Sequence, residues 1–276
     1  MALDAQNRRN LALRVGSALV LLPLAIAITW LGGAPFALLA AAAAAVMAGE
    51  LIRMFGGFGV AGAFGVAVAG AFPLATLLAG PGEVLPAWSW LALAGATVVV
   101  LVLFLFRRVP PEEVPRGVAV VVLSWLYCGL LLVPAVSLRL QHGFGWVVLT
   151  YLVTWGNDTF AYFAGNLFGR HKLFPRVSPK KTWEGFLGGV LGSLVGGAVT
   201  WALLLRGETT LGLVLWVGAG AAVLGPLGDL AESLLKRGAG VKDSSQIIPG
   251  HGGLLDRVDA LLFVVPWVWA CAEWLR

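Results

Sequence analysis

The stretch Gly228-Asp229-Leu230-Ala231-Glu232-Ser233-Leu234-Leu235-Lys236-Arg237 decides how the rest of the chain is read. It continues through Lys242-Asp243 and the loop Pro249-Gly250-His251-Gly252-Gly253 to Asp256-Arg257-Val258-Asp259. Both signs of charge concentrate here between apolar segments. Asp229, Glu232, Ser233 and Lys236 stand at helical spacing, so one face carries all four. At 1.5 Å rise per residue, Asp229 lies about 10 Å inward from the Lys236-Arg237 end, which is expected at the membrane surface. The expectation is a polar stripe lining a wet cleft. Asp256 and Asp259, three apart at the mouth of a last helix, should bring acids from a second helix to the same depth.

Composition says what surrounds that stripe. The 276 residues are 59% hydrophobic and 12% charged, with a mean hydropathy of +0.89. A soluble domain is about 25% charged, so the chain belongs in lipid. Its 12 Trp and 37 Gly fit, since Trp favours membrane interfaces and Gly lets helices pack closely. Cys128 and Cys271 fall in apolar runs with no disulfide or metal spacing, and read as small buried hydrophobes. The first apolar run is too long for a signal peptide, lacks a small-residue cleavage pattern and is followed by more spans, so it reads as a helix.

The expected fold is all-α, a polytopic integral membrane bundle of about nine transmembrane helices, each span needing ~20 apolar residues. The candidate spans are Leu13–Leu31, Pro35–Phe55, Val60–Ala79, Trp88–Phe106, Val118–Leu138, Phe144–Ala164, Phe186–Leu205, Leu211–Leu235 and Val258–Trp274. With the N-terminus in the cytoplasm, only Arg139, Arg206 and Arg276 of the 19 Lys and Arg fall outside. This is the positive-inside asymmetry, and it puts both late basic loops in the cytoplasm. Residues 1–140 read as a scaffold, and 141–276 as helices with a cytoplasm-facing catalytic cleft, within one integrated membrane domain.

Along the chain, Glu50 and Arg53 are placed to pair on one helix face, or Glu50 to reach a site. Arg107, Arg108 and Arg116 suit anionic headgroups. No internal repeat is visible, which tells against inverted-repeat transporters. Asn157 and Asp158 interrupt an apolar span, either as site residues or as hydrogen bonders between helices. The loop from Gly169 to Gly185 is the most basic region. In it, Ser178-Pro179-Lys180-Lys181-Thr182 precedes a helix start, a place that suits an anion, though a topogenic loop touching headgroups has the same composition. In the helix that follows, Gly188, Gly192 and Gly196 repeat at four, as do Gly189, Ser193 and Gly197. That small-residue face fits a dimer seam or, the reading we favour, an internal contact.

Converging carboxylates open to the cytoplasm suggest a Mg²⁺ site, because Mg²⁺ is usually held by one or two carboxylates plus substrate phosphates. Lys236, Arg237, Lys242 and Arg257 would neutralise phosphate oxygens, and Gly250, Gly252 and Gly253 let the backbone approach one closely. Phosphoryl-group chemistry needs positioning and charge stabilisation above all. Salt bridges between helices, or an ion relay, are the other readings of the same acids.

The run Ser233-x-x-Lys236-Arg237-x₄-Lys242-Asp243, with Pro249-Gly250-His251-Gly252-Gly253-x-x-Asp256-Arg257-x-Asp259, resembles the signature of the phosphatidate cytidylyltransferases (CDP-diacylglycerol synthases). Asn157-Asp158-Thr159-x-Ala161-Tyr162 and Ser178-Pro179-Lys180-Lys181-Thr182-x-Glu184-Gly185 are similar to further motifs of that family. The resemblance covers the C-terminal half; the first half matches only in hydropathy. It implies that CTP and phosphatidic acid give CDP-diacylglycerol and pyrophosphate with Mg²⁺, in a homodimer with a metal pair in a funnel-shaped cavity. Carried over, Asp229, Asp256 and Asp259 would be metal ligands, and Ser233 and Lys236, with Asp256 and Asp259, the catalytic group. Lys180, Lys181 and Thr182 would take nucleotide phosphates. Asn157, Asp158, Ser178, Arg237, Lys242, His251, Gly252, Gly253 and Arg257 would complete the substrate side. A CTP-dependent polyprenol or phytol kinase is the nearest alternative, and a secondary transporter a more distant one. The resemblance implies no nucleic acid partner. The expected location is the cytoplasmic membrane, with the C-terminus outside.

Overall fold

The structure, a computed structural model, describes residues 16, 19–80, 82–248, 250 and 252–275. The start of the first expected span, Arg8, Arg9, Arg14, Arg276 and His251 lie outside this set. The helices are α1 (Leu19–Leu31), α2 (Gly33–Met54), α3 (Gly59–Ala75), α4 (Ser89–Leu105), α5 (Val114–Ser124) and α6 (Val133–Gln141). They continue with α7 (Phe144–Phe168), α8 (Trp183–Thr200), α9 (Leu211–Gly238) and α10 (Leu255–Trp274). A π turn, Trp125–Gly129, and a 3₁₀ turn, Leu130–Leu132, join α5 to α6.

Among the described residues, five helical runs are long and apolar enough to cross a membrane: Gly33–Met54, Gly59–Leu78, Pro111–Gln141, Trp183–Leu205 and Leu211–Gly238. Leu19–Leu31 and Ser89–Leu105 are apolar but shorter. In α7 and α10 the apolar run is broken by Asn157-Asp158 and by Asp256-Arg257-Val258-Asp259.

The all-α expectation meets one exception, in the basic loop. Strands β1 (Lys172–Phe174) and β2 (Ser178–Thr182) form an antiparallel hairpin, with Lys172 opposite Thr182 and Phe174 opposite Ser178. The hairpin runs straight into α8, where the Trp183 amide donates to the His171 carbonyl at 2.9 Å.

The chain divides into two compact units. One of them runs up to Val133 and also takes in Val241–Arg257. The core of that unit is the α2–α3 contact, and Ala37, Ala40, Ala41, Ala44 and Ala48 of α2 are buried. Arg107 lies over Phe58 and Phe104, and Arg116 over Phe55, so these arginines also brace aromatic side chains.

The second unit holds Pro134–Gly240 and Val258–Arg276, and its central contact is α7 against α8. A Cβ on Gly192 would strike the Gly156 carbonyl, one on Gly196 the Leu152 carbonyl, and one on Gly188 the Ala164 methyl. The first small-residue row is therefore an internal seam, as favoured from the sequence, where two backbones touch. The second row faces inward as well: Ser193 donates to the Val153 carbonyl at 2.8 Å, and Gly189 abuts the Asn157 amide.

Candidate active site

In the second unit the candidate residues gather on α7, β2, α9 and α10. α9 forms because its apolar positions recur at helical spacing and Thr210 caps it, accepting from the Leu213 amide at 3.2 Å. Pro226 sits inside it and has no N–H, so the Ala222 carbonyl loses its usual helical partner. Asn157 replaces that partner, donating to Ala222 at 3.4 Å and to the Ser193 hydroxyl at 3.3 Å. Asn157 is 2% exposed. The structure thus makes it a tie between α7, α8 and α9, where the resemblance implied a substrate contact. Its neighbour Asp158 is exposed.

Gly228 brings the acids together. A Cβ there would lie 2.6 Å from the Asp259 carbonyl, so glycine is what lets α9 and α10 close to backbone contact. Asp229 and Asp259 then face one another across that contact, and Asp259 stands within electrostatic reach of Asp229, Asp158 and Lys236. One Asp259 oxygen accepts from the Ala260 amide at 2.8 Å.

The polar stripe on α9 is one helical face, but its exposure runs opposite to expectation. Glu232 is fully buried and ion-paired with Lys236, itself 9% exposed. The Asp229 side chain, at the other end, is 38% exposed. Its Oδ2 pairs with Lys181 Nζ at 2.8 Å, and its Oδ1 accepts from Ser233 at 3.3 Å. Lys181 also donates to the Pro226 carbonyl at 3.2 Å. The accessible end of the stripe is therefore Asp229 with Lys181, and Lys236 is engaged inside the protein.

The N-terminus of α8 is occupied by its own side chains. Thr182 accepts from the Gly185 amide at 3.1 Å, a standard N-cap. Glu184 accepts from the His171 amide at 3.2 Å and lies 2.7 Å from His171 Nδ1. The helix mouth expected to meet an anion thus carries an acid of its own, which already answers the positive end of the helix dipole. Lys180 is exposed on β2 and Ser178 half-buried at its start.

The first unit holds the rest of the sequence signature. Asp256 Oδ2 accepts from the Ser244 amide at 2.9 Å, the Ser244 hydroxyl at 2.8 Å and the Gly253 amide at 2.8 Å. Gly252 takes φ +85°, which favours glycine, and its carbonyl accepts from Ile248 at 2.9 Å. Lys242 and Arg257 are exposed here, as is Arg237 at the end of α9. Glu50, 1% exposed, accepts from the Ser245 hydroxyl at 2.6 Å and from the Leu254 and Leu255 amides at 2.9 and 2.8 Å. The pair with Arg53 is replaced by this grip on the loop. Ser244 and Ser245 are loop-fixing residues that the sequence reading did not single out, and for Glu50 the structure answers the choice between Arg53 and a more distant partner. The available signal was a lone acid in an alanine-rich helix, which rarely lacks a partner.

Among the described residues, no group of three or more His, Cys, Asp or Glu side chains is arranged to hold a metal ion. Two facing carboxylates with one partly exposed suit Mg²⁺, which takes few protein ligands and completes its shell with phosphate and water.

The profile of the Cytidylyltransferase family matches residues 12–275. The phosphatidate cytidylyltransferase of Staphylococcus saprophyticus is 45% identical over 126 residues, 46% of this chain and 48% of that protein. That of Staphylococcus haemolyticus is 44% identical over the same length, with the same coverage. That of Haemophilus influenzae is 42% identical over 128 residues, 45% of this chain and 44% of that protein. The chain thus spans about half the length of the curated relatives it matches. With a profile match running through nearly every helix, around acids that face each other across α9 and α10, the chain belongs to the cytidylyltransferase family.

Proposed function

We propose that this chain is a membrane nucleotidyltransferase of phospholipid synthesis, joining CTP to phosphatidic acid to give CDP-diacylglycerol and pyrophosphate. The observation that carries this reading is the Asp229–Asp259 approach at Gly228, with Lys181 on Asp229. Two acids with one mobile cation between them and the exterior form a receptor for a metal-bound polyphosphate. The similarity to proteins named phosphatidate cytidylyltransferase supports the choice of nucleotide and lipid.

In the reaction, an oxygen of the lipid phosphate attacks the α-phosphorus of CTP. A new P–O bond forms as the bond from the α-phosphorus to the bridging oxygen breaks, and that electron pair leaves with pyrophosphate. Asp229 and Asp259 would hold Mg²⁺, which supplies charge neutralisation on the phosphate oxygens when bound. Lys181 moves from Asp229 to a nucleotide phosphate, and Lys180, on the same strand, adds positive charge. Ser233 keeps Asp229 oriented. Asp158 sits on the nucleotide side, and Arg237, Lys242 and Arg257 meet phosphate at the exposed margin. No proton transfer to the protein is required, because the lipid phosphate is already ionised.

The same reading carries nine spans in the cytoplasmic membrane, an N-terminus in the cytoplasm, a C-terminus outside and a homodimer. The test is CTP labelled at either phosphate, given to the purified protein with phosphatidic acid. Label from the α-position is expected in the lipid. Label from the γ-position alone would identify a lipid kinase and overturn the reading, and substrate flux in sealed vesicles without nucleotide turnover would point to a transporter.

A further inference from the structure

Glu50 lies on α2, about 200 positions before the loop it holds, and the proposed reaction gives it no role. Its carboxylate receives donors on both oxygens. Oε1 takes Ser245 Oγ and the Leu254 amide, and Oε2 takes the Leu255 amide at 2.8 Å. Leu254 and Leu255 open α10, so their amides are among the N–H groups that a helix cannot satisfy from within. A carboxylate from another helix therefore caps α10 and also answers its dipole. Ser244 stands between two acids, 2.8 Å from Asp256 Oδ2 and 3.4 Å from Glu50 Oε2, with one hydroxyl proton to give. The shorter contact takes the proton, so Asp256 is fixed by Ser244 while Glu50 fixes the two amides just before it, those of Leu254 and Leu255. Gly253 completes the fit: a side chain there would run into the Ser244 hydroxyl and the Glu50 carboxylate.

We infer that Glu50 is a positioning residue for the cytidylyl transfer, holding Ser244, Ser245 and the start of α10 in one arrangement, one helical turn before Asp259. This rests on the proposed reaction. The chemistry needs the negative carboxylate, because both its oxygens are matched to hydroxyl and amide donors. Glu50→Gln has nearly the same volume but turns an NH₂ group toward an N–H donor. Glu50→Asp keeps the charge and shortens the reach.

The test uses the full-length purified protein. Amide hydrogen exchange of the segment holding Leu254 and Leu255 is measured without substrate, with α7 and α8 as an internal reference, alongside steady-state kinetics in CTP. Glu50→Gln is expected to speed exchange at Leu254–Leu255 about tenfold or more with α7 and α8 unchanged, since opening is local. It should lower kcat by about tenfold or more, with KM for CTP within about twofold, as misplacement of a reacting group does. Glu50→Asp should recover part of both. If Glu50→Gln fails to fold, Ser245→Ala, which removes one donor, should produce the same local rise in smaller measure. Unchanged exchange, or an equal rise throughout the protein, would overturn the inference, as would a kcat that falls only with the folded fraction. A wild-type protein that makes no CDP-diacylglycerol would overturn the reading of the reaction instead, and exchange would then decide the positioning role alone.

Discussion

Two sets of acids in this molecule look alike in sequence and differ in how they are satisfied. Glu50 and Asp256 are enclosed by hydroxyl and amide donors within 2.6 to 2.9 Å. Asp229 and Asp259 instead face each other, and the partners they have are a lysine at 2.8 Å, a serine at 3.3 Å and a neighbouring amide. A carboxylate saturated with donors is part of the scaffold, since removing it would strand several polar groups. A pair of acids held together against their repulsion is a reservoir of affinity for a cation. On the proposed reaction, the first set holds the loop and the start of α10 in place, and the second set does the chemistry.

The largest effect should come from breaking the second set. Asp229→Asn and Asp259→Asn each remove one charge from the facing pair while keeping shape. We expect kcat to fall by about 10²–10³-fold, the scale for losing one main electrostatic contributor at a reacting phosphate. Thermal stability should hold or rise, because the repulsion between the pair is relieved. A fall in activity that merely tracks a fall in stability would place these acids with the scaffold and erase the distinction.

A smaller effect should separate the lysine from the acids. The Lys181–Asp229 pair is partly exposed, at 23% and 38% of the side chains, so it contributes about 1 kcal/mol or less to stability. Lys181→Ala should leave the melting temperature nearly unchanged and raise KM for CTP by about tenfold, the value of one charge-assisted bond to phosphate. An unchanged KM would mean that Lys181 stays on Asp229 during turnover.

These contrasts were only partly legible in the sequence. Helical spacing put Asp229, Glu232, Ser233 and Lys236 on one face, and the structure has them there. What spacing does not carry is depth within the protein. Glu232 and Lys236 are buried as a pair while Asp229 reaches the exterior, because burial depends on what packs against the face. The glycine rows announced a close helix contact, and their period named the positions, since backbone contact needs glycine whatever the partner. For Glu50 the sequence left pairing with Arg53 and reaching a site both open, because its partners are 195 to 205 positions away and no local pattern links an acid in α2 to amides opening α10. The hairpin in the basic loop was hidden by its charged composition, which reads as a solvated loop unless the strand pairing is seen.

The smallest catalytic effect is expected beside the site, at Asn157. It precedes Asp158 on α7, yet one successive step of about 100° around a helix sends the two side chains to different surroundings. Asp158 is exposed, whereas Asn157 points into the three-helix contact and supplies the donor that Pro226 denies to Ala222. Asn157→Ala would leave the Ala222 carbonyl buried without that donor and take from Ser193 the bond it accepts. The cost should be about 1–3 kcal/mol of stability, the penalty for an unsatisfied buried group. If the residue is a tie, KM for CTP and kcat per folded molecule should both stay within about twofold of wild type, a change too small for a lost substrate bond. Thermal denaturation and kinetics on the same preparation decide it. A raised KM with unchanged stability would move Asn157 to the nucleotide and extend the chemical region inward along α7, past the seam where Gly156 meets Gly192.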